Sequence, residues 1–247
     1  MREINKYSED LNIRDWDTKF FGYKVANCSP KTAHDVYKAE VLAYAGNEPK
    51  QKVKLLMVRC GVENMEVIDA LICSKFILME TQVSYSFSFS KNFPYPTIPI
   101  RVAVPDDLER LKEIAKVAFK DYGGHFHNDR KIDSDKATDM YVEWIANSCF
   151  GNKLADEVFV TEDLNGFITV KKLNDTVGEG VLACVDKKAQ HRGIYKDLIL
   201  TAMIWGRDNG LKSMEMTTRV NNFAVQKVWQ RLGWEIFEAN HTFHKWL

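Results

Sequence analysis

Val181-Leu182-Ala183-Cys184-Val185-Asp186-Lys187-Lys188-Ala189-Gln190-His191-Arg192-Gly193-Ile194-Tyr195 runs from an apolar strand through a polar loop into a helix. That helix carries Tyr195, Leu198, Ile199, Ala202 and Met203 on one face and stops at Gly210. A strand-to-helix turn leaves consecutive N–H groups free at the positive end of the helix dipole, which makes it an anion site. Gly193 would let the backbone approach a diphosphate closely. Taken alone, an ordinary connecting turn reads the same way. The spacing is neither G-x-x-x-x-G-K-[ST] nor G-x-G-x-x-G, so P-loop and Rossmann sites are not supported.

The surroundings of this loop read as mixed α/β. Val158–Thr161 and Phe167–Val170 flank Asn165-Gly166, a hairpin signal. Ile100–Val104 is a short strand, and Asp106 or Asp107 would cap a helix burying Leu108, Leu111, Ala115, Ala118 and Phe119. A second helix places Ala137, Met140, Tyr141, Trp144 and Ile145 on one face. After the loop helix come a strand, Ser213–Val220, a helix capped by Asn222, and a final pair of short strands.

Composition narrows the classes. The 247 residues are 45% apolar and 28% charged, with 34 Lys+Arg against 34 Asp+Glu. Such a chain can bury enough apolar surface to fold, and its length allows one large domain or two modest ones. Through Phe93 there are 13 basic and 12 acidic residues, and beyond it 21 and 22, so neither part has the cationic excess of a nucleic-acid binder. Met1–Lys6 leads into no apolar h-region, and no apolar run approaches a membrane span. Five scattered cysteines, with no C-x-x-C pair, fit neither a disulfide framework nor a thiolate metal site. The expectation is a reduced, cytoplasmic protein. Pro94, Pro96, Pro99 and Pro105 favour a semi-rigid, extended linker between a smaller first domain and a second of about 150 residues.

The order of hairpin, strand, loop, helix, strand, Asn-started helix and terminal strands resembles the GCN5-related N-acetyltransferases (GNATs). Gln190 and Gly193 match that family's Q/R-x-x-G-x-G/A pyrophosphate loop, with Tyr195 where Gly or Ala is usual. Asn222 to Trp234 matches N-x-x-A-x-x-x-Y-x-x-x-G-F, departing at Val225, Trp229 and Trp234. Asp15–Gly22, Phe126–Asp129, Tyr141–Trp144 and His244–Leu247 are similar to signatures of the sugar-nucleotide branch, the TDP-fucosamine acetyltransferases. Val67–Glu80 can also be laid over Val225–Glu238, matching Leu71 to Trp229 and Phe76 to Trp234. A degenerate half-copy of the fold and a coincidence of helix-to-strand patterns both accommodate that overlay.

The resemblance implies an α/β (α+β) GNAT acyl-CoA N-acyltransferase fold, a mixed central sheet flanked by helices. Its domains would be a degenerate GNAT-like half at 1–93, a linker at 94–99 and a catalytic domain at 100–247. It implies acetyl-CoA as cofactor and a small-molecule amine as acceptor, the amine of a nucleotide-linked deoxyamino sugar. Another amine and a non-catalytic CoA-binding scaffold are the alternatives, and a homodimer is compatible with all three. Cofactor contacts would come from Ala183, Cys184, Val185, Gln190, His191, Arg192, Gly193, Ile194, Tyr195, Asn222 and Trp229. Acceptor contacts would come from His125, His127, Asp129 and Tyr141, with Tyr195 and His127 as catalytic groups.

Each of these residues also has a plainer reading. Cys184 fits a small core residue better than a nucleophile, since no activating base is near it in sequence. Asn222 is an N-cap, and Trp229 lies on an apolar stripe with Val225, Val228 and Leu232. An indole N–H donates but does not titrate usefully, so Trp229 cannot act as the tyrosine acid the family places there. His125 and His127 lie in a polar loop that solvent alone would explain, and His-x-His without further clustered ligands argues against a metal. His241 and His244, on the last strand, are read as projecting to one face.

Overall fold

Two compact units emerge in the computed structural model, which describes residues 11–45, 52–149 and 154–247; Met1–Lys6 lies outside them. The first unit comprises residues 1–82, 123–131 and 238–247, and the second 83–122 and 132–237. The strands are β1 (Asn12–Ile13), β2 (Val25–Cys28), β3 (Leu55–Gly61), β4 (Ile77–Ser88), β5 (Ile100–Val102), β6 (Glu157–Thr161), β7 (Gly166–Lys172), β8 (Val177–Val185), β9 (Ser213–Arg219) and β10 (Glu235–Trp246). The helices are α1 (Asp15–Phe21), α2 (Ala33–Tyr44), α3 (Met65–Cys73), α4 (Leu108–Phe119), α5 (His125–Asn128), α6 (Ser134–Cys149), α7 (Ile194–Asp208) and α8 (Phe223–Arg231). Among the described residues no helix is long and apolar enough to cross a membrane. The fold is mixed α/β, a central sheet of parallel and antiparallel pairs with helices packed on it.

The overlay seen in the sequence extends to whole elements. β3, α3 and β4 begin at Leu55, Met65 and Ile77; β9, α8 and β10 begin at Ser213, Phe223 and Glu235, each 158 residues later and each of the same length. Lys75 and Gly233, the matched positions after the helices, both take left-handed backbone, with φ of 62° and 85°. Phe76 N–H donates to Leu71 O at 2.9 Å and Trp234 N–H to Trp229 O at 3.0 Å, closing the two helices alike. The two runs share six boundaries, two helix closures and a backbone sign.

The repeats exchange their last strands. In the first unit β10 pairs antiparallel with β3, from Asn240↔Gly61 to Trp246↔Leu55. In the second, the later half of β4 lies beside β9, where Ser84 and Thr217 hydroxyls bond at 2.9 Å. The compact units therefore interleave along the chain. The last two strands expected from the sequence are one twelve-residue strand, β10. His241 and His244, three apart on it, point to opposite faces and not to one, because strand side chains alternate with period two.

Within the second unit, the hairpin β6–β7 forms in register Val160↔Phe167, but its turn is wider than Asn165-Gly166. The positive φ falls on Leu164, at 50°, while Gly166 opens β7. A Cβ on Gly166 would meet Cys184 O at 3.0 Å, Ile194 Cγ2 at 3.0 Å and Leu198 Cδ1 at 3.1 Å, so this glycine lets the hairpin approach β8 and α7. β5 ends at Val102, short of the expected Val104, whose N–H is taken by Asp107 Oδ2 at 2.8 Å. Asp107 also binds Arg101 through both oxygens, at 2.7 and 2.9 Å.

The proline segment packs inside this unit and does not run free as a linker. Asp197, in the first turn of α7, accepts from Thr97 N–H at 2.8 Å, Thr97 Oγ1 at 2.7 Å and Ile98 N–H at 3.2 Å. Asp197 is 1% exposed, and Arg207 on the same helix covers the rings of Phe93 and Tyr95. Replacing Asp197 with Ala strands three donors, each costing about 1–3 kcal/mol when left unsatisfied. We expect Asp197→Ala to lose about 3 kcal/mol or more in urea unfolding. A loss under about 1 kcal/mol would mean that water takes over these bonds.

Candidate functional site

The second unit holds an opened strand pair. β8 and β9 run parallel from Val177↔Ser213 to Gly180↔Met216, where the register ends, although β8 continues to Val185 and β9 to Arg219. On its other side β8 stays paired with β7 down to Gly166↔Val185. Its partners shift there, with Val170 opposite Gly180 and Thr169 opposite Leu182, so Val181 is the extra residue of a bulge. Bulges bend a strand and raise its twist, which turns Val181–Val185 away from β9.

Alternation decides which backbone groups face the opening. Leu182 N–H bonds Thr169 Oγ1 at 3.1 Å and Asp186 N–H bonds Asn165 O at 2.7 Å, both towards the β6–β7 hairpin. Cys184 follows them with period two, so Val181, Ala183 and Val185 present their N–H and C=O groups to the open edge. Ala183 and Val185, two of the residues expected to contact a cofactor, thus lie on the open edge, while Cys184 turns its amide to β7. Burial pushes the Cys184 thiol far up and keeps it protonated.

The loop at the end of β8 is exposed from Gln190 to Gly193. His191 and Gly193 both have positive φ, 66° and 82°, and Gly193 is the N-cap of the fifteen-residue α7. No side chain caps that end, so the N–H groups of the first turn stay available. Asp186 shapes the loop start by accepting Lys188 N–H at 2.9 Å and by pairing with Arg110. An open strand edge beside an uncapped helix start suits an elongated molecule with an anionic group at one end.

Tyr195 sits in the first turn of α7, half-buried, with its hydroxyl pKa raised well above 10 by desolvation. The Trp229 indole works against that shift from close by, yet its Nε1 does not reach hydrogen-bond geometry with any described group. Trp229 is 1% exposed and packs against Tyr85 and Trp234 at 5.2 and 6.2 Å between ring centres. Asn222 holds the N-cap position of α8, but its side chain donates to Thr218 Oγ1 at 2.9 Å and does not cap. Tyr141 is buried at 8% in a stack on Phe119, 4.2 Å away, with Tyr122 on its edge.

The first unit gathers the loop histidines. His244 Nδ1 lies 2.8 Å from Asp129 Oδ2, and His244 Nε2 lies 3.0 Å from His125 Nδ1. Trp246 Nε1–H also donates to Asp129 Oδ2, at 2.8 Å, and His125 N–H donates to Glu80 at 2.5 Å. His127 is half-buried on the same short helix. Burial depresses the His125 pKa well below 6.5, with His244, Arg59, Arg14 and His127 adding to the effect. Burial likewise lowers His244, against the pull of Asp129. Both imidazoles are therefore neutral at pH 7.

Sequence reasoning named His125 and Asp129 but gave His244 no role, since 115 residues separate it from Asp129 and no local pattern links them. Three segments set apart as short signatures do meet here. Phe21 packs on Phe126 at 5.1 Å, Tyr23 on Trp246 at 5.2 Å, and Asp129 bonds both His244 and Trp246. Among the described residues no group of three His, Cys, Asp or Glu is arranged to hold a metal.

The acetyltransferase (GNAT) family model matches residues 110–234. Among solved structures, a GCN5-related N-acetyltransferase from Kribbella flavida is 14% identical, with 99% of this chain and 89% of that one covered at a TM-score of 0.64. One from Sphaerobacter thermophilus is 12% identical, covering 96% and 76% at a TM-score of 0.63. A tandem GNAT protein from the clavulanic acid biosynthesis pathway is 10% identical, covering 87% and 68% at a TM-score of 0.55. At such identities the likeness is one of fold. No curated protein matches the chain.

The two neutral histidines set a pH dependence. Their folded pKa values lie below the ordinary 6.5, so between those values and 6.5 the unfolded chain binds protons that the folded chain refuses. Stability is then constant above about pH 7 for these groups and falls on acidification, by up to about 1.4 kcal/mol per pH unit for each histidine. Urea midpoints measured at pH 7.5, 6 and 5 should fall in that order, and less steeply in His244→Gln. A midpoint independent of pH in this range would show that the histidines titrate normally.

Proposed function

We propose that this chain, which belongs to the acetyltransferase (GNAT) family, transfers an acetyl group from acetyl-CoA to the amine of a nucleotide-linked deoxyamino sugar. The observation that carries the reading is the parting of β8 from β9 beyond Gly180 and Met216, next to the uncapped start of α7. The residues fit the cofactor. Amides from His191 to Tyr195 would hold its diphosphate, with Gln190, Arg192 and Ile194 lining the same turn. The open edge at Ala183 and Val185 would pair with its extended arm. Bound acetyl-CoA supplies a thioester whose carbonyl an amine can attack. Ala183 N–H, turned to the open edge, is the donor best directed to polarise that carbonyl.

Two supports favour the sugar acceptor. Asp15–Gly22, Phe126–Asp129 and His244–Leu247 resemble one branch of the family, and in the first unit they touch one another. The loop from His125 to Asp129 offers both donors and acceptors, as hydroxylated substrates require. A histidine of this loop would take the amine's proton; the sequence alone pointed to His127. Tyr141, by contrast, would act through packing with Phe119 and Tyr122, since it is 8% exposed. The division into a degenerate half at 1–93, a segment at 94–99 and a catalytic half at 100–247 describes ancestry, and the 158-residue repeat of elements supports it.

Cofactor binding can be tested at Gly193. A Cβ there meets nothing within 4 Å, so Gly193→Asp adds no clash. It does force an L residue to φ near 82° and sets a carboxylate at the anion site. We expect acetyl-CoA affinity to fall at least ~10-fold by titration calorimetry, about 1.4 kcal/mol. Unchanged affinity would place the diphosphate elsewhere.

The departing thiolate needs a proton, and Tyr195 is the candidate, since an indole cannot deliver one. Trp229→Phe should keep the aromatic packing and lower kcat by less than ~10-fold, while Tyr195→Phe should lower it by ~10²-fold. The reverse ranking, in variants that still bind acetyl-CoA, would move the acid away from Tyr195.

A further inference from the structure

We propose that the first unit carries a binding site of its own for a small anion bearing a hydroxyl group, a polyol phosphate or a hydroxy acid. Arg59 and Thr242 would hold the anion, and His125 Nε2 would accept from the hydroxyl. The site goes beyond the acetyl-transfer reading, since every group it uses lies in the first unit.

The first sign is a hydroxyl with nothing to bond. Thr242 is 0% exposed, and its Oγ1 finds no partner among the described residues. A buried polar group left so is costly and calls for a reason. Thr242 on β10 stands opposite Arg59 on β3, so both side chains rise from one face of the sheet. Phe243, Val58 and Cys60 take the other face, in the apolar core with α2 and α3. The 158-residue repeat puts Ser84 and Thr217 at the matching positions of the second unit, where the two hydroxyls satisfy each other at 2.9 Å. In the first unit a guanidinium stands in place of one hydroxyl. Arg59 brings donors and no acceptor, and a phosphate or carboxylate oxygen accepts from a guanidinium and a hydroxyl together. Thr242 and His244 form a floor, at 0% and 1% exposure, while Arg59 and His125 are half-buried and reach solvent.

The second contact follows from counting protons. Asp129 Oδ1 accepts Lys131 N–H at 3.0 Å, and Oδ2 accepts Trp246 Nε1–H at 2.8 Å. Burial works to raise the Asp129 pKa, but bonds from His244, Lys131 and Trp246 outweigh it and hold the group ionised. A carboxylate donates nothing, so His244 carries its proton on Nδ1, 2.8 Å from Asp129 Oδ2, and leaves Nε2 bare. His125 Nδ1, 3.0 Å from that nitrogen, must donate there. Neutral His125 then offers Nε2 as an acceptor, the one ring position that bonds to no described residue. Burial, then His244, Arg59 and Arg14, resist a positive charge on this ring. An ammonium is unwelcome beside it, and an uncharged hydroxyl is the donor that fits. Thr242 and His244 lie two residues apart on one face, about 7 Å along the strand. Donors and acceptor are thus spaced for a molecule of a few carbon atoms, and a bare ion cannot span them.

NMR titration of the full chain near pH 7 tests the site, with glycerol 3-phosphate, 4-hydroxybutyrate, inorganic phosphate and glycerol as probes. One or both hydroxylated anions should bind with a Kd of about 1 mM or tighter and shift the His125 ring nitrogens and the Thr242 methyl. Binding of the ester alone names a phosphate site, and of the acid alone a carboxylate site. Inorganic phosphate and glycerol should bind at least ~10-fold more weakly, since each lacks one contact. The Gly193 amide reports separately on anions at the start of α7. Arg59→Gln should weaken the hydroxylated anion ~10-fold or more, and Thr242→Val ~3-fold or more. In the free protein Thr242→Val should leave the urea midpoint unchanged or raise it, because no bond is lost. A lowered midpoint would show that the hydroxyl is already paired and would overturn the proposal. So would a protonated His125 Nε2, inorganic phosphate binding as tightly as the ester, or no shift at Thr242 with any probe. Acetyl-CoA titrated into the same sample is read at Gly193, so failure of the transferase reading leaves this result standing.

Discussion

Parallel pairing that stops halfway is the constraint on which the second unit depends. Interior backbone N–H and C=O groups are nearly always paired, so a strand released from its neighbour at Gly180 must have another use for its edge. The bulge at Val181 turns the strand. Gly166 lets the hairpin and α7 close in behind it, and Asp197 ties the first turn of α7 to the proline segment. Each of these holds one side of the opening rigid while leaving the other side free. A site of this kind is built from backbone direction: Ala183 turns its amide to the opening, and Cys184 is buried behind it.

The first unit shows what the same scaffold does when the opening is shut. β2 and β3 also run parallel, but β2 is paired over its whole length, from Val25↔Leu55 to Cys28↔Val58. Where the chain leaves β2, Ser29 Oγ donates to Arg59 O at 2.8 Å and so occupies an acceptor further along β3. Pro30 follows, and α2 begins with Thr32 capped reciprocally by Asp35. A helix start already satisfied by a capping box offers no free amides to an anion. One copy has an open edge and an uncapped helix; the other has a closed edge and a capped one.

Legibility in the sequence followed the range of the interaction. The loop from Asp186 to Tyr195 was readable because its glycine, its polar run and the helix stripe are contiguous. The matching helix-to-strand runs were readable from Leu71 and Phe76 because the apolar positions that close each helix lie next to one another in sequence. Local rules failed at Asn222, whose side chain finds Thr218 within four residues and so abandons its cap, and at the hairpin turn, where Thr161 Oγ1 accepts Asn165 N–H at 2.9 Å and moves the positive φ to Leu164. The strand exchange was invisible, since hydrophobic alternation along β4 and β10 is the same whichever neighbour they join. So was the bond from Asp129 to His244, which needs that exchange in order to exist: His244 lies on β10, and β10 reaches the first unit only because the repeats trade their last strands.

That dependence links duplication to chemistry. His125, Asp129, His244 and Trp246 all lie beyond residue 100 in the sequence, yet they meet in the first unit. Exchange brings His244 and Trp246 onto Asp129, where three donors on two oxygens exclude a protonated carboxyl and exclude an amide in its place. An ionised, fully bonded carboxylate is also what makes a buried imidazole tolerable, because its N–H has a strong acceptor and its other nitrogen is free to accept. The first unit thus combines a capped helix start with a fixed array of proton donors and acceptors.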